Sequence, residues 1–274
     1  MLNVLKTDLI RIFKDKLFLI LLIIGAGFSL FTPVLTRLIL FVGEIDPSEA
    51  AALELFSFNA KSMFFNSFSP GNNFGLIAPI LVSIILCKDF SHGTIRNKII
   101  CGKRRGGIFF SLFVSCTVAT FAAILTHALL TLGVSLLLFD YQADPFTFAD
   151  FGHLLLSLLF EVTVYAYVSA IISFLCVWSK NTGVTIVCYV AIAFLCSIAM
   201  GISSSALLFT NPENTFAVKA WTFVSKINPF GSTLIGSGRS YTGEDVLYIL
   251  LPSIVFGALF YLSGLTVFRK KDLK

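Results

Sequence analysis

The chain has 274 residues, of which 57% are hydrophobic and 13% charged, with 30 phenylalanines and a formal net charge of +5. Soluble domains carry about 25% charged residues, so this composition excludes an ordinary water-soluble enzyme or binding module. Apolar stretches recur at about 20 residues, the length that crosses a hydrocarbon core of about 30 Å. The fold class read from this is an all-α integral membrane protein, a single transmembrane domain over residues 1–274 with six transmembrane helices.

At the N-terminus Leu2, Leu5, Leu9 and Ile12 recur at helical spacing, with Lys6, Asp8, Arg11, Lys14 and Asp15 between them. This predicts an amphipathic interfacial helix over 1–16, its apolar stripe in the membrane surface and its basic residues towards anionic headgroups. The predicted spans follow at 17–42, 74–87, 108–139, 151–178, 184–209 and 246–268. The first is too long, and too charged in its approach, for a cleaved signal peptide. Arg37 lies near its outer end, where its side chain can snorkel to the surface. The second span is short and is expected to borrow a turn on each side; Pro79 inside it predicts a kink.

Between the spans, Gly43–Asn73 reads as an outer loop that is acidic, then rich in Phe and Ser, closing on the turn residues Ser69, Pro70, Gly71 and Asn72 and an Asn73 helix cap. Asp140–Asp150 reads as an acidic outer turn, and Ser179–Gly183 as a tight inner one. Phe216, Ala220, Phe223, Val224 and Ile227 repeat at helical spacing, with Trp221, Lys219 and Lys226 alongside, until Asn228-Pro229-Phe230 breaks the pattern. Thr215–Ile227 is therefore expected to be an interfacial or re-entrant helix of the outer leaflet, or a structured outer loop.

Charge distribution orients this map. Lys6, Arg11, Lys14, Lys16, Lys88, Arg96, Lys98, Lys103, Arg104, Arg105, Lys180, Arg269, Lys270, Lys271 and Lys274 fall on one side. Lys61, Lys219, Lys226 and Arg239 fall on the other, together with Glu44, Asp46, Glu49, Glu54, Asp140, Asp144, Asp150, Glu213, Glu244 and Asp245. Basic loops close to the bilayer stay in the cytoplasm, so both termini are expected there. The positive balance is then a topological signal rather than a nucleic-acid footprint. Cys87, Cys101, Cys116, Cys176, Cys188 and Cys196 all fall in spans or the basic loop, without a C-x-x-C spacing, and read as small apolar fillers.

Catalytic patterns are nearly absent. The histidines are His92, His127 and His153, and no H-E-x-x-H, no G-x-S-x-G and no Cys–His cluster occurs. Gly102-Lys103 lacks the remainder of a P-loop, so no ATP site of that kind is present and no metal or cofactor site is expected. The ionisable residues at depth are Glu161, about ten residues and roughly 15 Å from the outer end of its span, and His127, about twelve residues and roughly 18 Å from that end. Such residues cost at least ~2.5 kcal/mol unless paired or facing a cavity. A Glu161–His127 pair is one reading; a protonated Glu161, or one bonded to Ser157, Thr163 or Tyr165, is the other.

The basic loop between the second and third spans carries the stronger signal. Ser91-His92-Gly93-Thr94 leads into Ile95-Arg96-Asn97-Lys98-Ile99-Ile100-Cys101 and then Gly102. Thr94 is expected to cap a two-turn helix and Gly102 to end it in a left-handed conformation. Ile95, Ile99 and Ile100 are expected on one face, with Arg96, Asn97 and Lys98 on the others.

The run Lys88-Asp89-Phe90-Ser91-His92-Gly93-Thr94-Ile95-Arg96-Asn97-Lys98, with Gly102-Lys103-Arg104-Arg105 after it, resembles the loop after the second span in the type-2 ABC export permeases of bacteria. Members often carry Glu where this chain has Asp89. The resemblance extends to the amphipathic start, the six spans and the outer helix ending at Asn228-Pro229-Phe230. It implies a permease subunit of the bacterial plasma membrane without an ATPase of its own. Its partners would be a separate ATP-binding protein carrying ATP and Mg, a second permease subunit and membrane lipid. Asp89, Gly93, Thr94, Ile95, Arg96, Asn97, Lys98, Ile99 and Gly102 would form the coupling element. Relatives of this architecture handle peptides, drugs, ions and glycolipids, and the expectation leans to an amphipathic peptide, antibiotic or similar compound. Two other classes stay open: an ATP-independent channel or ion-coupled carrier using Glu161 and His127, and a polytopic membrane enzyme or scaffold.

Overall fold

The computed structural model describes residues 2–43, 60–71, 73–139, 146–210, 215–228 and 243–270. Glu44, Asp46, Glu49, Glu54, Asp140, Asp144, Glu213, Pro229, Phe230, Arg239, Lys271 and Lys274, which entered the charge map and the Asn-Pro-Phe reading, lie outside them. Every regular element among the described residues is helical: α1 (Leu2–Lys14), α2 (Lys16–Val42), α3 (Ala60–Asn66), α4 (Asn73–Ser91), α5 (Thr94–Ile100), α6 (Arg105–Leu138), α7 (Phe148–Ser179), α8 (Thr182–Phe209), α9 (Thr215–Ile227) and α10 (Gly243–Lys270). Six of them, α2, α4, α6, α7, α8 and α10, are long and apolar enough to cross a membrane. The chain is an all-α, multi-pass membrane protein.

Local signals set the helix limits. Asp15 is extended and its Oδ1 accepts the Leu17 N–H at 2.9 Å, so one residue ends α1 and caps α2. Thr147 and Asp150 close a capping box at the start of α7. Asn181 caps α8 by accepting the Gly183 N–H at 2.9 Å, after a left-handed Lys180 has ended α7.

The spanning helices fall into two sets. Within their most apolar windows α4, α6 and α7 are 56% buried, against 28% for α2, 17% for α8 and 22% for α10. The first three form the centre, and the others turn Leu19, Ile23, Phe194, Leu195 and Leu259 outwards, where lipid would meet them. Apolar burial does not drive helix association inside lipid, so close packing has to. The α7–α10 contact shows how: a Cβ on Gly264 would lie 2.6 Å from Phe109 Cζ and 3.3 Å from Phe174 Cα, and one on Gly257 would lie 3.4 Å from Tyr167 Cα. Gly264→Val is expected to cost about 1–3 kcal/mol by overpacking, measured as a lower unfolding temperature in detergent, whereas Gly133→Val, with open space around its Cβ, should not reproduce the clash.

Three features sharpen or correct the expectations: the second span gains its expected turn at the C-terminal side, residues 60–71 depart from the loop reading, and the last helix before α10 follows one of the courses left open. First, α4 continues to Ser91 and α6 begins at Arg105. Lys88 and Asp89 therefore belong to the last helical turn of the second span, and the polar connection is shorter than the sequence suggested. Second, residues 60–71 are not a solvated loop. Ala60, Met63, Phe64, Phe65, Phe68, Ser67 and Ser69 are all buried, and α3 packs on α6. Phe64 meets Phe68 edge-to-face at 5.1 Å and Phe65 meets the His153 ring at 4.5 Å, so the segment folds back into the bundle through its aromatic rings. Lys61 reaches Asp150 at 2.9 Å and fastens it to the start of α7. Third, α9 packs against α8, and Asn228 at its end donates its amide to the Cys196 carbonyl. Cys196 lies about 20 Å along α8 from Phe209, so α9 runs back along α8 in the re-entrant manner rather than lying flat.

Candidate functional site

Asp8 of α1 is 1% exposed. Its Oδ1 accepts the Lys98 Nζ at 2.6 Å and its Oδ2 accepts the Ser111 hydroxyl at 2.7 Å, so both oxygens are satisfied. Arg11, one turn further along α1, stands 3.7 Å from Asp8 and donates to Asp89 at the end of α4. Lys98 also lies 3.9 Å from Asp89. Two acids and two bases thus alternate in a neutral quartet joining α1, α4 and α5, with Ser111 fixing it to α6. A second contact, Lys88 Nζ to Asp15 Oδ2 at 3.5 Å, ties α4 to the break between α1 and α2.

The quartet decides how α5 faces its surroundings. Ile95 is 2% exposed and Ile99 packs against the core, with Lys98 between them pointing into the quartet. Arg96, Asn97 and Ile100 are exposed, Ile100 at 72%. The expected grouping is corrected in two places: Lys98 belongs to the inner face, and Ile100 to the outer one. Positions 95, 98 and 99 are neighbours on a helix surface, and so are 96, 97 and 100. Once Lys98 has a buried carboxylate to meet, the face containing it turns inwards.

Glycine sets both ends of α5. Gly93 precedes it at φ 69° and Gly102 follows it at φ 75°, both left-handed. The position before the helix is therefore held by Gly93, and Thr94 is its first helical residue rather than its cap. No neighbour would obstruct a Cβ at either glycine, so alanine there is disfavoured by backbone conformation alone. Between α1 and α5 runs a groove of about 380 Å³ lined by Asn3, Val4, Thr7, Thr94, Asn97 and Lys98, with Cys101 and Lys103 at its edge. The bonds from α1 to Lys98 and from Arg105 Nη1 to the Arg269 carbonyl, 2.8 Å, place α1, α5 and the end of α10 at one end of the bundle. That end carries most of the basic residues among the described ones.

The amphipathic start is thus more than a surface helix. Its stripe is Leu5, Asp8, Leu9 and Ile12, with Asp8 and Ile12 fully buried and α1 packed on α6, while Ile10 and Phe13 are 45% exposed. Asp8 was the residue that sequence reasoning placed on the polar side. The signal was present: 5, 8, 9 and 12 form one helix face, and the only acid within it is Asp8.

In the interior, the Glu161–His127 pair is not formed. His127 Nδ1 lies 2.8 Å from Ser29 Oγ and 3.0 Å from the Gly25 carbonyl, both on α2, and its ring contacts Phe74 at 4.7 Å. Neither oxygen of Glu161 has a hydrogen-bond partner among the described residues, so the bonds considered to Ser157, Thr163 and Tyr165 are absent too. Thr163 instead returns its hydroxyl to the Leu159 and Phe160 carbonyls. The cysteines are free, and two meet: Cys87 Sγ and Cys176 Sγ are 2.7 Å apart between α4 and α7. Among the described residues no three His, Cys, Asp or Glu side chains converge as a metal site.

Comparison of the chain with protein-family models and with curated proteins finds no match.

Proposed function

We propose that the chain is the permease subunit of an ATP-driven exporter of the type-2 ABC class, lying in a bacterial plasma membrane with both termini in the cytoplasm. It draws energy from a separate ATP-binding subunit that carries ATP and Mg, and it pairs with a second permease subunit. The cargo class is an amphipathic peptide or antibiotic.

One observation carries this reading: α5 is a two-turn helix held between left-handed glycines, locked to α1, α4 and α6 by a charge quartet whose two acids are buried, and open on its Arg96–Asn97–Ile100 face. A helix built that way passes a push at its open face directly to α4 and α6, the central helices, and through α1 to the start of α2. Arg96, Lys103 and Arg104 around that face call for an acidic receiving surface on the partner. The absence of a P-loop fits a chain whose energy comes from elsewhere.

The test is co-expression with any ATP-binding protein found in the neighbouring reading frames. The expected result is co-purification of the two, lost in Arg96→Glu, and cargo movement in vesicles only when ATP and that partner are both supplied. Transport that proceeds without any ATPase overturns the proposal in favour of a carrier or channel.

A further inference from the structure

Away from the basic end, the inward face of α7 carries Ser157, Glu161, Tyr165, Ser169 and Ser173 at four-residue spacing, each 3% exposed or less. Serine and threonine inside these helices commonly return their hydroxyl to the carbonyl one turn back, as Ser29, Thr131, Ser135 and Ser253 do. Ser169 and Ser173 do not, nor does Ser115 of α6; Ser169 meets the Cys116 thiol of α6, and the Ser173 and Ser115 hydroxyls are buried without a hydrogen-bond partner among the described residues. Both oxygens of Glu161 and the Tyr165 hydroxyl are in the same condition. Buried polar groups are normally hydrogen-bonded, and buried charges paired. The interior of this bundle therefore holds oxygens without a hydrogen-bond partner among the described residues, those of Glu161, Tyr165, Ser173 and Ser115, and one of these groups is a carboxyl.

The surroundings of Tyr165 show that the line is built into the fold. Its hydroxyl lies where only glycine leaves room: a Cβ on Gly75 would be 2.8 Å from Tyr165 Oη and 2.6 Å from the Ser69 carbonyl oxygen. Gly75 near the start of α4 and the buried turn at Ser69 and Pro70 thus stand beside the phenol. Lys61 is drawn to Asp150 and His127 to α2. Among the described residues no Lys, Arg or His pairs with Glu161, which leaves its carboxyl open to a partner from outside the chain.

We propose that Glu161 and Tyr165 form an internal binding site for a cationic group, a primary ammonium on the transported molecule; this rests on the transport reading above and names its substrate class. An ammonium brings three N–H donors, and the two carboxylate oxygens and the phenol oxygen are three unpartnered acceptors on adjacent turns of one helix. The hydroxyls of Ser169, Ser173 and Ser115 continue the polar line towards the basic end.

The test uses the full chain in nanodiscs of zwitterionic lipid, without any ATP-binding partner, and radiolabelled dodecylammonium as probe. Dodecyltrimethylammonium, which has the charge but no N–H donor, and dodecanol, which has no charge, serve as competitors. The expected result is at least about tenfold tighter binding of dodecylammonium than of either competitor. Glu161→Gln should lose about tenfold or more of that affinity, as expected when a charge-assisted bond is removed, and Tyr165→Phe a smaller, several-fold part. Should Glu161→Gln prove unfolded, the competitor series and Tyr165→Phe still decide. Equal affinity for the three probes, or unchanged dodecylammonium binding in either folded variant, overturns the site. Because no ATPase is present, failure here leaves the energy-coupling proposal standing, and loss of ATP dependence leaves the binding result standing.

Discussion

Replacing Asp8 by alanine is expected to lower the stability of the chain by about 3–5 kcal/mol, the cost of leaving a buried charge without its partner. Lys98, whose side chain is 14% exposed, loses its partner at 2.6 Å and keeps only Asp89 at 3.9 Å; Ser111 loses its acceptor in the same step. Unfolding temperature in detergent measures the loss. The double variant Asp8→Ala/Lys98→Met should recover a large part of it, because an apolar pair of similar volume removes the desolvation penalty along with the attraction. If Asp8→Ala behaves like an ordinary surface substitution, within about 0.5 kcal/mol of the parent, the quartet does not hold α1 in place.

A second pair of variants separates anchoring from docking on α5. Ile100→Asp, on a side chain 72% exposed, should leave the unfolding temperature almost unchanged while abolishing ATP-dependent cargo movement in vesicles that contain the ATP-binding partner. Ile95→Ala, on a side chain 2% exposed, should cost about 2–5 kcal/mol through the cavity it leaves. The two residues are of one type and five positions apart, so the contrast isolates which way each points. Wild-type transport by a folded Ile100→Asp chain would remove α5 as the docking face.

The spanning helices were legible because length and apolar composition determine them. The predicted spans 17–42, 108–139, 151–178, 184–209 and 246–268 lie within or at the limits of α2, α6, α7, α8 and α10, and Thr215–Ile227 is a helix with those bounds. Residues 60–71 were misread as loop because Ser, Pro, Gly and Asn mark turns whether the turn is solvated or buried. What buries this one is tertiary: Phe65 against His153 and Lys61 against Asp150 are contacts across about 90 residues, invisible to any local window.

The quartet escaped for a related reason. Charged residues near a membrane surface are ordinarily solvated, and charge alone does not distinguish Asp8 from Lys6 or Arg11. What does distinguish it is position within an otherwise apolar face, and the same holds for Lys98 between Ile95 and Ile99. Each was a lone charge in a greasy stripe, and two such charges of opposite sign in separate helices fit each other. The Glu161–His127 pairing failed on direction. Both residues lie in the interior, but His127 points from α6 to α2, towards Ser29 and Gly25, a rotation that depth along a span cannot report.

The one-residue break at Asp15 has a practical consequence for anyone handling this polypeptide. A shortened version starting at Lys16 would retain every membrane-crossing segment and would insert, yet Lys98 and Asp89 would each be left beside an empty place where Asp8 and Arg11 had stood. Such a preparation would look sound by size and yield while its first span no longer registered what happens to the connection between the second and third. Tags belong at the other terminus.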